Sequence, residues 1–117
     1  MNTTEMVLDL DELIEEIDLD MVPVVFECFL DDSRDILPLM QDALQQRDSE
    51  RLRKVAHRIK GCFKSIRVIK GAELAEELED AARANQLSEL PDTLAEFEIE
   101  FFRVLNFVRD YLARVSD

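Results

Sequence analysis

Val55-Ala56-His57-Arg58-Ile59-Lys60-Gly61-Cys62-Phe63-Lys64, residues 55–64, decides how this chain folds, and it holds the only histidine in 117 residues. The spacing predicts a helix. With Leu52 at zero and about 100° per residue, Val55, Ala56, Ile59, Phe63 and Ile66 fall within about 60° of it as one apolar stripe. Arg53, His57, Lys60 and Lys64 fall at roughly 80° to 140°, beside one another and off that stripe. The imidazole therefore belongs on a basic, solvent-facing flank of a helix whose other side is buried. Gly61 lies one turn further along that flank. Glycine inside a helix costs about 1 kcal/mol relative to alanine, so its presence there asks for a reason. Bare backbone either gives a partner room beside the ring or lets a second helix approach closely.

Two glycines and three prolines leave little material for tight turns, and abundant Leu, Ala, Glu, Asp and Arg favour helix. With 47% hydrophobic and 35% charged residues, one core can be filled and the exterior solvated. A single domain over 1–117 is expected, with fraying over about residues 1–8. No apolar run reaches the roughly 18 residues of a membrane span, and Met1-Asn2-Thr3-Thr4-Glu5 lacks the basic start of a signal peptide. A cytoplasmic location without a membrane partner is the expectation. Cys28 and Cys62 have no metal-ligand spacing and are expected as reduced core residues.

The net charge of −13 is unevenly spread. Residues 47–70 carry nine of the fourteen Lys and Arg against only Asp48 and Glu50, and no cation precedes Arg34. An acidic body with one basic element around a single histidine suggests a local anionic guest. It argues against nucleic acid, whose backbone the body would repel.

Along the chain, Leu10, Leu13, Ile14 and Ile17 have helical spacing, so a short acidic helix is expected over Asp9 to Ile17. Asp20 is a candidate N-cap for a long helix to about Gln46, with Pro23 in its first turn. Its inner stripe is Phe26, Phe29/Leu30, Leu37, Met40 and Leu44, and Pro38 predicts a kink between Arg34 and Pro38. Asp48-Ser49 caps the histidine helix, which should run from about Glu50 to Ser65 or Ile66. Gly71 reads as a helix-boundary residue. Leu74, Ala75, Leu78 and Ala81/Ala82 mark a third helix ending near Ala84-Asn85. A last helix starts over Ser88 to Asp92, with a seam from Leu94 to Val115, and the seven phenylalanines read as core filling. The fold class is all-α: an antiparallel up-down-up-down four-helix bundle with a short extra N-terminal helix.

The residues Ala56-His57-x-Ile59-Lys60-Gly61 resemble the core motif of histidine-containing phosphotransfer (HPt) domains, and the helix order fits that family over essentially the whole chain. The resemblance implies that His57 accepts a phosphoryl group from an aspartyl phosphate on a response-regulator receiver domain and passes it to another receiver. A neutral imidazole is a nucleophile, and cations on its flank offset the charge of an attached phosphoryl group. Lys60 matches the lysine that lies beside the phosphoryl group in the family, and Gly61 the small residue that admits the receiver. Lys64 is a second candidate for phosphate stabilisation, and Arg53 and Arg58 are candidate docking contacts. The chain is then a phosphocarrier with no kinase activity, no cofactor and no metal of its own. Mg²⁺ would come with the receiver, which could belong to a hybrid sensor kinase. A monomer is expected.

Two positions depart from the family pattern: Lys64 where a small residue is usual, and Arg67 where glycine is common. Arg67 is expected to alter how the histidine helix ends and turns. These departures favour the competing reading, a helical adaptor that binds receiver or kinase domains without chemistry. The acidic Asp9, Asp11, Asp18 and Asp20 lack the turn glycine and ligand spacing of a calcium loop.

Overall fold

The computed structural model describes residues 6–116, and among these there are helices and no strands. The order is α1 (Leu10–Glu16), a 3-10 turn (Leu19–Met21), α2 (Val22–Ser33), α3 (Ile36–Gln45), α4 (Ser49–Ser65), α5 (Ile69–Arg83) and α6 (Leu90–Val115). The histidine helix α4 packs most heavily on α5 and also on α3. Helix α6 lies against α5 and α2.

The apolar stripe read from the sequence is the buried face of α4: Leu52, Val55, Ala56, Ile59 and Phe63 are all inside. Phe63 sits at the centre of the core. Its ring lies 5.8 Å from Phe29 of α2, and 5.9 and 6.1 Å from Phe97 and Phe101 of α6. Aromatic contacts in this range add about 0.5–1.5 kcal/mol beyond area burial. They hold rigid the helix that carries His57.

Asp48 caps α4 as expected, its carboxylate accepting from the Arg51 N–H at 3.1 Å, and Asp9 caps α1 in the same way through Glu12. The expected fraying over residues 1–8 does not hold at Leu8, which is buried; residues 1–5 lie outside the described residues.

The single kinked helix expected over residues 20–46 is instead two helices. Pro38 has no N–H, and its ring crowds the carbonyl four residues back, at Arg34. The chain therefore ends α2 at Ser33, whose buried hydroxyl donates to the Phe29 carbonyl at 2.6 Å, and restarts α3 at Ile36. Pro38 then falls in a first turn, where its missing N–H is not needed. Asp20 is not an N-cap: it lies in the 3-10 turn, and Met21 precedes α2 without a side-chain cap. Cys28, expected inside, is exposed, because it lies two residues from Phe26 and thus on the opposite side of α2. Val115 is likewise exposed rather than part of the seam, and Phe102, expected with the other phenylalanines as core filling, is exposed as well.

Three helices end without glycine yet use the turn that glycine usually makes. Arg47, Arg67 and Asn85 have φ of 55°, 64° and 57°, each just past the C-cap of α3, α4 and α5. In each case the next N–H reaches back across the last turn: Asp48 to Ala43, Val68 to Phe63, and Gln86 to Ala81. This is the Schellman closure. Left-handed backbone costs a non-glycine residue roughly 1–2 kcal/mol, which these bonds offset. Arg67 does not change the helix end; it occupies the position a glycine would take. Its guanidinium pairs with Glu12 and Glu16, and its carbonyl accepts from the Asp9 N–H at 3.0 Å. Arg67 thus ties α1 to the α4–α5 turn, beside the apolar contact made by the buried Leu13.

Candidate functional site

His57 stands on the outer flank of α4 with 66% of its side chain exposed. Its Nδ1 lies 2.8 Å from Oε2 of Glu79, a residue of α5 whose side chain is only 2% exposed. The other oxygen, Oε1, takes the ammonium of Lys60 at 2.7 Å, and the Arg83 guanidinium meets Oε2 at 3.1 Å. One buried carboxylate thus gathers an imidazole and two cations from the facing flanks of α4 and α5. Lys60 also pairs with Glu76 at 3.8 Å, and its side chain is 17% exposed.

The electrostatics follow from this arrangement. Burial pushes the Glu79 carboxyl upward, but the Lys60 ammonium and the His57 ring outweigh it and hold the group below its ordinary value of 4.5. Lys60 is raised above its ordinary 10.5, chiefly by the Glu79 carboxylate. Glu79 is therefore ionised at neutral pH and can only accept hydrogen bonds. The neutral imidazole must carry its proton on Nδ1, which leaves the lone pair on Nε2.

A pH dependence follows from linkage. A carboxyl depressed on folding contributes stability above its unfolded pKa of 4.5, which is lost as pH falls through the folded value. Lys60, raised on folding, contributes below 10.5 and loses that contribution as pH rises through its folded pKa. Wild type and Glu79→Gln, compared by thermal denaturation, should differ most at neutral pH. The gap should narrow below pH 4.5, the acid arm of this cluster.

The two glycines have opposite roles. A Cβ at Gly61 would meet nothing within 4 Å, so neither packing nor a positive φ requires glycine there, and a helix-helix contact is not the reason for it. A Cβ at Gly71 would lie 2.7 Å from the Phe63 ring and 2.9 Å from Val68. Gly71 lies in the first turn of α5, near the boundary as expected, and is there a packing residue. Gly61→Ala should stabilise the fold by up to about 1 kcal/mol. Gly71→Ala should destabilise it by about 1–3 kcal/mol through overpacking. Chemical denaturation of the two variants measures both.

The remaining flank residues scatter. Lys64 is exposed and makes no ion pair among the described residues. It stands at the rim of an apolar groove of about 370 Å³ lined with Val68, Ile69 and Ala72. Arg53 is paired with Glu50 of its own helix. Arg58 donates to the Asp32 carbonyl and to Asp35 at 2.9 Å, clamping α4 to the α2–α3 junction and holding Asp35 below the usual carboxylate range. Of the cations singled out by sequence, only Lys60 joins His57 at Glu79. Glu79 and Arg83 were not singled out. A signal existed, since Glu79 lies four residues from Ala75 and three from Ala82, on the buried stripe of α5. Among the described residues, no group of three or more His, Cys, Asp or Glu is placed to hold a metal ion.

A family model described as Hpt domain matches residues 24–117, a span that includes the whole His57–Glu79 cluster. This chain belongs to the Hpt domain family. The Hpt chain is also similar to a solved structure, histidine-containing phosphotransfer protein B (HptB) from Pseudomonas aeruginosa PAO1. The TM-score is 0.84 at 31% sequence identity, covering 95% of this chain and 98% of that one. No curated protein matches it. Among the described residues of this Hpt domain, no helix is long and apolar enough to cross a membrane.

Proposed function

We propose that this chain is a phosphocarrier of a two-component phosphorelay, with His57 as the acceptor and Nε2 as the nitrogen modified. The observation that carries the reading is the exposed ring held through Nδ1 by a buried carboxylate. An imidazole in that tautomer presents a fixed, unprotonated nitrogen to solvent. In the proposed step the Nε2 lone pair attacks phosphorus, an N–P bond forms, and the P–O bond to the receiver's aspartate breaks. The aspartate leaves as carboxylate. The proton on Nδ1 stays on Glu79's hydrogen bond, so the ring needs no other base. Aspartyl phosphate and Mg²⁺ belong to the visiting receiver, and the chain needs no kinase activity of its own.

Lys64 and Lys60 are the proposed phosphate-stabilising cations, and the open backbone at Gly61 is the proposed point of close approach. Arg53 and Arg58 are held by acidic partners, which makes them secondary docking candidates. The connections between α3, α4, α5 and α6 are three to six residues long, and consecutive helices are neighbours. Short links between packed helices support an antiparallel up-down-up-down arrangement, with α1 as an extra element.

The test is incubation of the chain with phosphorylated receiver domains, followed by acid and base treatment of any label. Acid-labile, base-stable label supports the carrier reading. Binding without label from any receiver would leave a helical adaptor.

A further inference from the structure

Helix α6 is 26 residues long, and its inner face supplies Leu94, Phe97, Phe101, Val104 and Val108 to the core. The opposite face carries a second stripe at heptad spacing: Asp92, Ala95, Ile99, Phe102, Asn106 and Arg109, all six exposed. Its centre is apolar. Ile99 is 61% and Phe102 54% exposed, the two largest apolar side chains left outside on this helix.

We propose that this stripe binds a second copy of the chain, antiparallel, about a two-fold axis between Ile99 and Phe102. The stripe is complementary to itself. Turned end for end about that axis, Ile99 meets Phe102 of the other copy, Ala95 meets Asn106, and Asp92 meets Arg109. A two-fold interface requires this reciprocity, because each pair occurs twice. The charges at its ends are available. Asp92 and Arg109 make no ion pair among the described residues, whereas Arg103 and Arg114 on the same helix are paired with Glu100 and Asp110. A parallel pairing would set Asp92 against Asp92 and Arg109 against Arg109, so the charges select the antiparallel register.

The stripe is about 26 Å long at 1.5 Å per residue, a single helix pair. Such a contact lies below the roughly 1,200–2,000 Å² of a stable interface, so the dimer dissociates on dilution. This revises the expectation of a monomer. None of the six residues belongs to α4 or to the Glu79 cluster, so pairing leaves an exposed imidazole on each copy. The inference does not depend on His57 accepting phosphate.

Sedimentation equilibrium of the full chain from roughly 10 μM to roughly 1 mM tests it. The weight-average mass of wild type should rise toward twice that of one chain. Asp92→Arg and Arg109→Asp should each weaken association at least ten-fold. Their equimolar mixture should recover it, because both ends of the mixed pair are then opposite in charge, and so should the double variant carrying both changes. Circular dichroism confirms that each variant is folded. Phe102→Glu provides a charge-independent check and should also remain monomeric. A wild type that stays at one chain's mass throughout overturns the proposal. So does association of either single variant or of Phe102→Glu at wild-type strength, or a mixture no better than its parts.

Discussion

His57→Gln is expected to remove all acid-labile label from the chain while leaving its fold in place. The ring is two-thirds exposed, so no core contact goes with it. Among the described residues its tertiary bond is to Glu79, and that carboxylate keeps Lys60 and Arg83 when the imidazole is gone. The stability change should therefore stay within about 1 kcal/mol, a few degrees in Tm. Glutamine offers no nucleophilic ring nitrogen, so the chemical loss is complete rather than partial. Labelling with a phosphorylated receiver, measured beside a thermal melt, separates the two effects. Label surviving in the variant would move the acceptor elsewhere. A collapse of the melt would mean the ring holds the fold together.

Glu79→Ala is the second large effect, and it should strike both fold and chemistry. Removing one partner of a buried ion pair typically costs about 3–5 kcal/mol. Lys60 and Arg83 can reach water here, which lowers the expectation to about 2–3 kcal/mol. The ring also loses the acceptor that sets its tautomer and orientation. A charge-assisted hydrogen bond of about 1.5–3 kcal/mol corresponds to roughly ten- to a hundred-fold in rate. Glu79→Gln is the informative control. Its carbonyl can still accept from Nδ1, so transfer should stay within about ten-fold of wild type while the ion-pair stability is lost. Equal loss of transfer in both variants would mean that charge, not the hydrogen bond, governs the ring.

The legible parts of this molecule were those governed by local periodicity. Leu52, Val55, Ile59 and Phe63 recur every three or four residues, which a helix must bury together, and that same rule set His57 outside. Asp48 was readable as a cap because a short acceptor before an apolar run satisfies free N–H groups. Pro38 announced a disturbance, and the chain breaks there rather than bends: α2 ends at Ser33 and α3 starts afresh at Ile36, so that Pro38 falls in a first turn. The C-terminal turns were hidden because arginine and asparagine stand where glycine usually does, and propensity alone does not assign a left-handed φ to arginine.

By itself the sequence determined an all-helical chain, the position of its histidine on a solvent-facing flank, and bare backbone one turn away. Each depends on residues within a few turns of one another. Only the tertiary structure decided what holds that histidine. Glu79 is 22 residues away on another helix, and the packing of α5 on α4 brings its carboxylate to the ring and to Lys60. It likewise separated Gly61 from Gly71, identical letters in a sequence, by setting open solvent above one and the Phe63 ring against the other. A one-dimensional pattern specifies which face of a helix is apolar; which polar groups meet across two faces depends on the helices' relative rotation and register, and those exist only once the core has packed.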